Sequence, residues 1–376
     1  MDSIVIGMID FHKEKAEKVM EALRGGGADA LLLFHGADIG FYTGFSIGPS
    51  ERLAAALIPS DGESVLVVNE LEGELRGQKP WIENVDIWLE HEDPVETLAQ
   101  NIERLGLEGA VIGLAEDAPW GWVNRLKERL PAVHFVDASM HLSEVRMVKS
   151  QQELEWMRMA CAILDRALET SFERLHTGMT EKELASILAS EIQSLGGAVG
   201  FGLILFGERA ALPHGQPSDR KLEPGDAILV DTGAIVRGYY SDLTRTVFYG
   251  EPTDRQREIY QVVHDANRAA YEAVRPGITC ESLDETARNV IEEAGYGEYF
   301  IHRLGHGIGL QVHERPYIVR NNGLELEPGM TFTIEPGIYI VGEIGVRVED
   351  TVVCTTAGCE RLTRLSRDLK SYPVRD

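Results

Sequence analysis

Basic residues are the scarce class in this chain. Lys and Arg number 36 against 61 Asp and Glu, a net charge of −25, and so acidic a surface is repelled by nucleic-acid phosphates and by anionic membranes. Neither is expected as a partner. Cysteine is scarce too: four in 376 residues cannot build a disulfide framework. Cys354 and Cys359 bracket a turn-like "CTTAGC" and could face each other across a hairpin, with reduced thiols the expected state. No apolar run approaches the roughly 20 residues of a membrane span. The stretch "MDSIVIGMIDFHKEK" also lacks the basic start and the apolar length of a secretion signal. A cytoplasmic protein is the expectation.

What is present is enough chain for two domains. From residue 11 to about 138 the pattern alternates. A helix over "FHKEKAEKVMEAL" stops at Gly25, Gly26 and Gly27; strands follow at "ADALLLF", "LAAALIP" and "SVLVVN"; Asp93, Pro94 and Glu96 open a helix; "AVIGLA" and "AVHFVDA" bracket another. This predicts an α/β domain over 1–145. Beyond it the character changes. Ser150 with Glu153, Thr180 with Glu183 and Thr253 with Gln256 each have capping-box spacing and predict three helices.

Residues 146–376 contain an internal duplication. "LEPGDAILVDTG" (222–233) and "LEPGMTFTIEPG" (326–337) share Leu-Glu-Pro-Gly, five further residues, an acid, one residue and a glycine. The acids are Asp231 and Glu335. Each copy is preceded by His-x-x-Pro, at His214 and His313, and followed by a second acid in a strand-like run, Asp242 and Glu349. Upstream, "GMTEKEL" at 178 echoes "GITCESL" at 277. Two copies of one unit pack about a pseudo-two-fold axis, where equivalent positions meet. Asp231, Asp242, Glu335 and Glu349 should then converge.

Four carboxylates in one pocket repel strongly unless something cancels their charge. Two divalent cations would do so. Spread over the surface as caps or ion pairs, the acids would need no such partner, but matched places in two repeats argue against that. A further ligand is suggested by "HRLGHGIGLQVHE", with His302, His306 and His313; glycines on both sides of His306 let the backbone approach a metal. Its spacing is not that of a phosphate-binding loop. One imidazole among four carboxylates suits Mn²⁺ first, then Co²⁺ or Fe²⁺, with Zn²⁺ a poorer match. Two such ions would hold a water acidified to hydroxide, so the expected chemistry is metal-assisted hydrolysis. Arg347, two residues before Glu349, would share its face in a strand and orient that acid or a substrate carboxylate, or form a plain ion pair.

At these residues the chain resembles the pita-bread metallopeptidases: prolidase, aminopeptidase P and methionine aminopeptidase, with creatinase. The resemblance covers essentially the whole chain and implies a creatinase/prolidase-type α/β N-terminal domain, which methionine aminopeptidase lacks, followed by an α+β pita-bread catalytic domain. It implies that Asp231 chelates one metal, that Asp242 and Glu349 bridge two, and that His306 and Glu335 complete the other sphere. His214 and His313 would flank the scissile bond with His302 nearby. His313 would donate to the carbonyl oxygen, and Glu335 would move the proton of the attacking water. The implied enzyme is an Xaa-Pro dipeptidase acting on small peptides as a homodimer through a metal-bridging hydroxide. Aminopeptidase P is the alternative; a creatinase-like or lyase enzyme and a catalytically dead binding module are the remoter ones. One departure stands out: in "LFGERAALPHG", Arg209 occupies a place where such peptidases often carry asparagine. That leaves open whether it binds a substrate carboxylate or lies at the surface.

Overall fold

The computed structural model describes residues 2–45, 47–48, 50–72 and 80–375, with residues 2–8 given by backbone alone. Two compact units divide the chain, Met1–Arg146 and Met147–Asp376.

The first unit carries helices α1 (Asp2–Gly25), α2 (Ala37–Thr43), α3 (Pro94–Arg104), α4 (Trp120–Arg129) and α5 (Ser139–Met147). Strands β1 (Ala30–Phe34), β2 (Ala55–Pro59), β3 (Val65–Asn69), β4 (Asn84–Trp88), β5 (Val111–Leu114) and β6 (His134–Asp137) form one sheet, ordered β4-β3-β2-β1-β5-β6. β1, β2 and β3 are buried along their whole length, which is why they read as continuous apolar runs rather than as alternation. α1 begins nearer the N-terminus than expected because no proline interrupts residues 2–10. β4, "NVDIW", was not foreseen: Asn84 and Asp86 break up its apolar residues and it lies at the sheet edge. Asp93 caps α3 by accepting from Val95 N at 3.0 Å, while Glu96 turns to Arg129.

The second unit is built twice. Its first half holds α6 (Gln151–Phe172), α7 (Glu181–Ser194), β7 (Ala198–Phe206), β8 (Ala227–Val236), β9 (Tyr239–Tyr240) and β10 (Leu243–Tyr249). Its second holds α8 (Asp254–Ala273), α9 (Cys280–Glu293), β11 (Gly305–Gly307), β12 (Glu314–Ile318), β13 (Thr331–Ile334), β14 (Gly337–Ile340), β15 (Ile344–Arg347), β16 (Asp350–Thr355) and β17 (Gly358–Arg361), and β18 (Ser371–Tyr372) returns to pair with β10. All three capping boxes form at α6, α7 and α8, each worth about 1 kcal/mol of helix stability.

Equivalent backbone bonds repeat in the two halves. Gly178 N donates to Leu222 O and Gly277 N to Leu326 O, both at 2.9 Å; Gly225 N donates to Tyr249 O at 2.6 Å and Gly329 N to Cys354 O at 2.8 Å. The main sheets, β18-β10-β8-β7 and β12-β11-β13-β16-β17, are the two copies. They are tied by a buried pair, Arg245 of β10 and Asp350 of β16, 2.8 Å apart. Cys354 and Cys359 are register partners on β16 and β17, and both thiols are free. Among the described residues no helix is long and apolar enough to cross a membrane.

Of the four duplicated acids only Asp231 lies inside a strand. Asp242 sits in the break between β9 and β10, Glu335 between β13 and β14, and Glu349 between β15 and β16. The strand-like pattern around them is therefore interrupted at the acids themselves. The reason is visible in the backbone: Asp242 N donates to Thr351 Oγ1 and Glu349 N to Thr244 O, both at 3.1 Å, so each segment leaves its own ladder to bond the other half.

Candidate metal centre

The five expected ligands line one cavity of about 890 Å³, and His214, His302, His313 and Arg347 line it with them. Ligand atoms of Asp242, His306 and Glu349 lie within 4.8 Å of one another. His306 Nδ1 faces the Gly307 carbonyl at 3.1 Å and so carries a proton, which leaves Nε2 as the atom presented to the acids. That Nε2 is 3.2 Å from Glu335 Oε1 and 3.7 Å from Asp242 Oδ2. The close approach needs glycine on either side. A Cβ at position 305 would overlap the Thr333 carbonyl, and one at 307 the Arg315 carbonyl.

Two oxygens test whether cations fit here. Asp231 Oδ1 and Asp242 Oδ1 are buried with no hydrogen-bond partner, an expensive state for a carboxylate unless a metal meets it. Burial, and then the charges of Glu349, Asp231 and Glu335, push Asp242 well above the ordinary carboxylate range. Burial, and then Glu335 and Asp231, do the same to Glu349. Asp231 is raised chiefly by burial, against the pull of Arg347. Glu335 goes the other way: burial works to raise it, but the hydrogen bond and charge of His306, with His302 and Arg347, hold it at about 2. A cluster unable to keep all its carboxylates charged by itself is the donor set that divalent cations complete.

Arg347 closes the site from behind. Its Nη2 donates to Asp231 Oδ2 at 2.5 Å, Nε to Thr244 Oγ1 at 2.9 Å and Nη1 to Tyr339 OH at 2.7 Å. The guanidinium thus bonds Asp231 directly and touches Glu349 only through Thr244. Thr244 passes the contact on, donating from Oγ1 to Glu349 Oε2 at 2.5 Å. Tyr339, pushed up to about 12 by burial, keeps its proton and donates to His302 Nε2 at 2.9 Å, while His302 Nδ1 donates to the Arg303 carbonyl at 2.7 Å. Burial lowers His302. His313 stacks edge-on against His306 with ring centres 4.2 Å apart; burial, then the charges of His306 and Arg303, lower it to about 4. Both histidines are neutral near neutral pH.

Arg209 stays out of the cavity. Its Nε donates to Glu181 Oε1 at 3.0 Å and its Nη2 to the Gln216 carbonyl at 2.8 Å, so it is not a substrate-binding cation. Arg303 does line the cavity, and among the described residues its guanidinium has the Tyr317 ring, 4.4 Å away, as its contact and no acid or carbonyl. Sequence reasoning passed over Arg303, Tyr339 and Thr244. Only Thr244 left a signal: it stands two residues after Asp242 as Thr351 stands two after Glu349.

Residues 155–356 match the family model of metallopeptidase family M24, and residues 15–148 match the creatinase/prolidase N-terminal domain. Over 365 residues, 96% of this chain and 99% of the relative, the sequence is 38% identical to an Xaa-Pro dipeptidase from Lactobacillus helveticus. Among solved structures, a dipeptidase from Mycobacterium ulcerans superposes with a TM-score of 0.91 at 36% identity, covering 97% of this chain and 99% of that one. A prolidase from Thermococcus sibiricus gives 0.91 at 34%, covering 96% and 99%.

Proposed function

The chain belongs to metallopeptidase family M24, and on that premise we propose that it is an Xaa-Pro dipeptidase. One observation carries the reading: a single cavity holds the five ligand side chains and, beside them, the uncommitted Arg303 guanidinium. In a dipeptide the free carboxylate lies one residue from the scissile bond, and a guanidinium is its natural partner. An Xaa-Pro amide has no N–H and a fixed ring, so an enzyme acting on its carbonyl succeeds where strand-gripping peptidases fail.

Asp231, Asp242, His306, Glu335 and Glu349 would hold two divalent cations, Mn²⁺ best matching the oxygen-rich set. When bound, such a pair supplies Lewis acidity and acidifies water near neutral pH. Glu335, held anionic, takes the proton of the attacking water and returns it to the proline nitrogen, which carries no hydrogen of its own. His313, neutral and lining the cavity, donates to the carbonyl oxygen as it becomes tetrahedral, with His214 in the same lining. Arg347 holds Asp231, and Tyr339 holds His302. The proposal extends to a homodimer in the cytoplasm; the four free thiols agree with a reducing compartment.

Cleavage of Xaa-Pro dipeptides and Xaa-Pro-Yaa tripeptides, with Mn²⁺ supplied, tests this. Dipeptides should be preferred. Equal rates would favour an aminopeptidase P, and no cleavage of either would remove the peptidase reading.

A further inference from the structure

His214 lies in the connection between β7 and β8, where the only regular structure is a short 3-10 turn, Gly207–Ala211, and where His214 and Gln216 are exposed. Such a loop is mobile unless its backbone is tied down. The tie is Glu181, fully buried in the first turn of α7. Its Oε1 accepts from Phe206 N at 2.9 Å and from Arg209 Nε at 3.0 Å; its Oε2 accepts from Ser218 N at 2.8 Å and Ser218 Oγ at 2.7 Å. One carboxylate thus gathers the residue where the loop leaves β7, a residue within it and one near its far end. Arg209 then spans the remaining gap by donating to the Gln216 carbonyl, two residues beyond His214.

We infer that Glu181 and Arg209 are positioning residues that hold His214 at the cavity wall. The inference rests on the peptidase reading, in which His214 flanks the scissile bond with His313. An ion pair between a buried carboxylate and a half-buried guanidinium contributes little net stability, but its charged hydrogen bonds are directional, which suits a device that sets geometry. The same device recurs at the other two histidines that line the cavity outside the ligand set, His302 and His313. Arg288, paired with Asp284 at 2.9 Å, donates to the His302 carbonyl at 2.9 Å. Lys149, buried, pairs at 2.7 Å with Glu314, the neighbour of His313. Asp231 has its backbone within a ladder, and there the charged partner, Arg347, bonds the carboxylate itself.

Arg209→Met keeps the aliphatic stem and loses both bonds; Arg209→Lys keeps the charge but cannot fork between Glu181 and Gln216. In each, kcat on an Xaa-Pro dipeptide should fall about tenfold with bound metal unchanged, and amide exchange over residues 212–217 should quicken by about the same factor. In a His214→Ala background, Arg209→Met should lower kcat no further. Additive losses, or unchanged exchange in the loop, would overturn the clamp while leaving the peptidase reading intact. Wild-type kcat in His214→Ala would overturn both the role of that histidine and the clamp. If Arg209→Met does not fold, Arg209→Lys decides by the same readouts.

Discussion

Thr244 and Thr351 reach across the pseudo-two-fold axis to each other's acid. Thr351 Oγ1 accepts from Asp242 N at 3.1 Å and donates to the Asp242 carbonyl at 2.8 Å, while Thr244 Oγ1 donates to Glu349 Oε2 at 2.5 Å and its carbonyl accepts from Glu349 N at 3.1 Å. The half that supplies one acid therefore also supplies the clamp for the other.

Thr244→Val keeps the shape of this side chain and removes its hydroxyl, leaving Glu349 Oε2 and Arg347 Nε without a shared partner. Partners of metal ligands typically contribute about 10- to 100-fold in affinity or activity. Metal titration and kcat should both move within that range; a wild-type metal affinity would show the contact to be dispensable.

Asp242→Ala should abolish turnover and lower bound metal while the circular dichroism stays native, since it removes a ligand from a region packed on both sides. Elemental analysis beside the activity assay reads both. Retained turnover would count against the ligand assignment.

Without metal, Asp242, Glu349 and Asp231 are raised above their ordinary carboxylate values. The native state then binds more protons than the unfolded chain, so metal-free stability falls as pH rises above about 4. Glu335 is depressed, and its contribution is complete above the same point. Metal uptake expels the protons. The gap in Tm between metal-loaded and chelator-treated protein should therefore widen from about pH 5 to about pH 8; a constant gap would contradict the clustering.

Arg303→Gln should raise KM for Xaa-Pro dipeptides by about 10- to 100-fold, the loss of one charge-assisted contact. Xaa-Pro amides, which lack the carboxylate, should be affected far less. Equal effects on both would place Arg303 in some other role.

Asp350→Asn breaks the buried pair with Arg245, both partners 2% or less exposed. Stranding a buried charge costs about 3 to 5 kcal/mol, and at about 2 to 4 °C per kcal/mol the Tm should drop by roughly 10 °C. A shift within error would show Arg245 satisfied by the Leu365 and Ser366 carbonyls it already reaches.

Much of the site was legible along the chain because a duplicated acid pattern is a one-dimensional signal. Asp231, Asp242, Glu335 and Glu349 could be picked out by matching Leu-Glu-Pro-Gly to Leu-Glu-Pro-Gly, and the capping boxes by their local spacing. Arg303 and Tyr339 gave no such mark, since an arginine or a tyrosine is ordinary anywhere and becomes special only by what faces it.

That four acids recur at matched places in two copies is written in the order of the amino acids. Folding alone settled who bonds whom: Arg347 with Asp231 rather than Glu349, Arg209 with Glu181 rather than a substrate. Spacing and residue type are properties of neighbours in sequence, whereas hydrogen-bond partners more than 100 residues apart, as Arg347 and Asp231 are, are chosen by the packing of whole sheets.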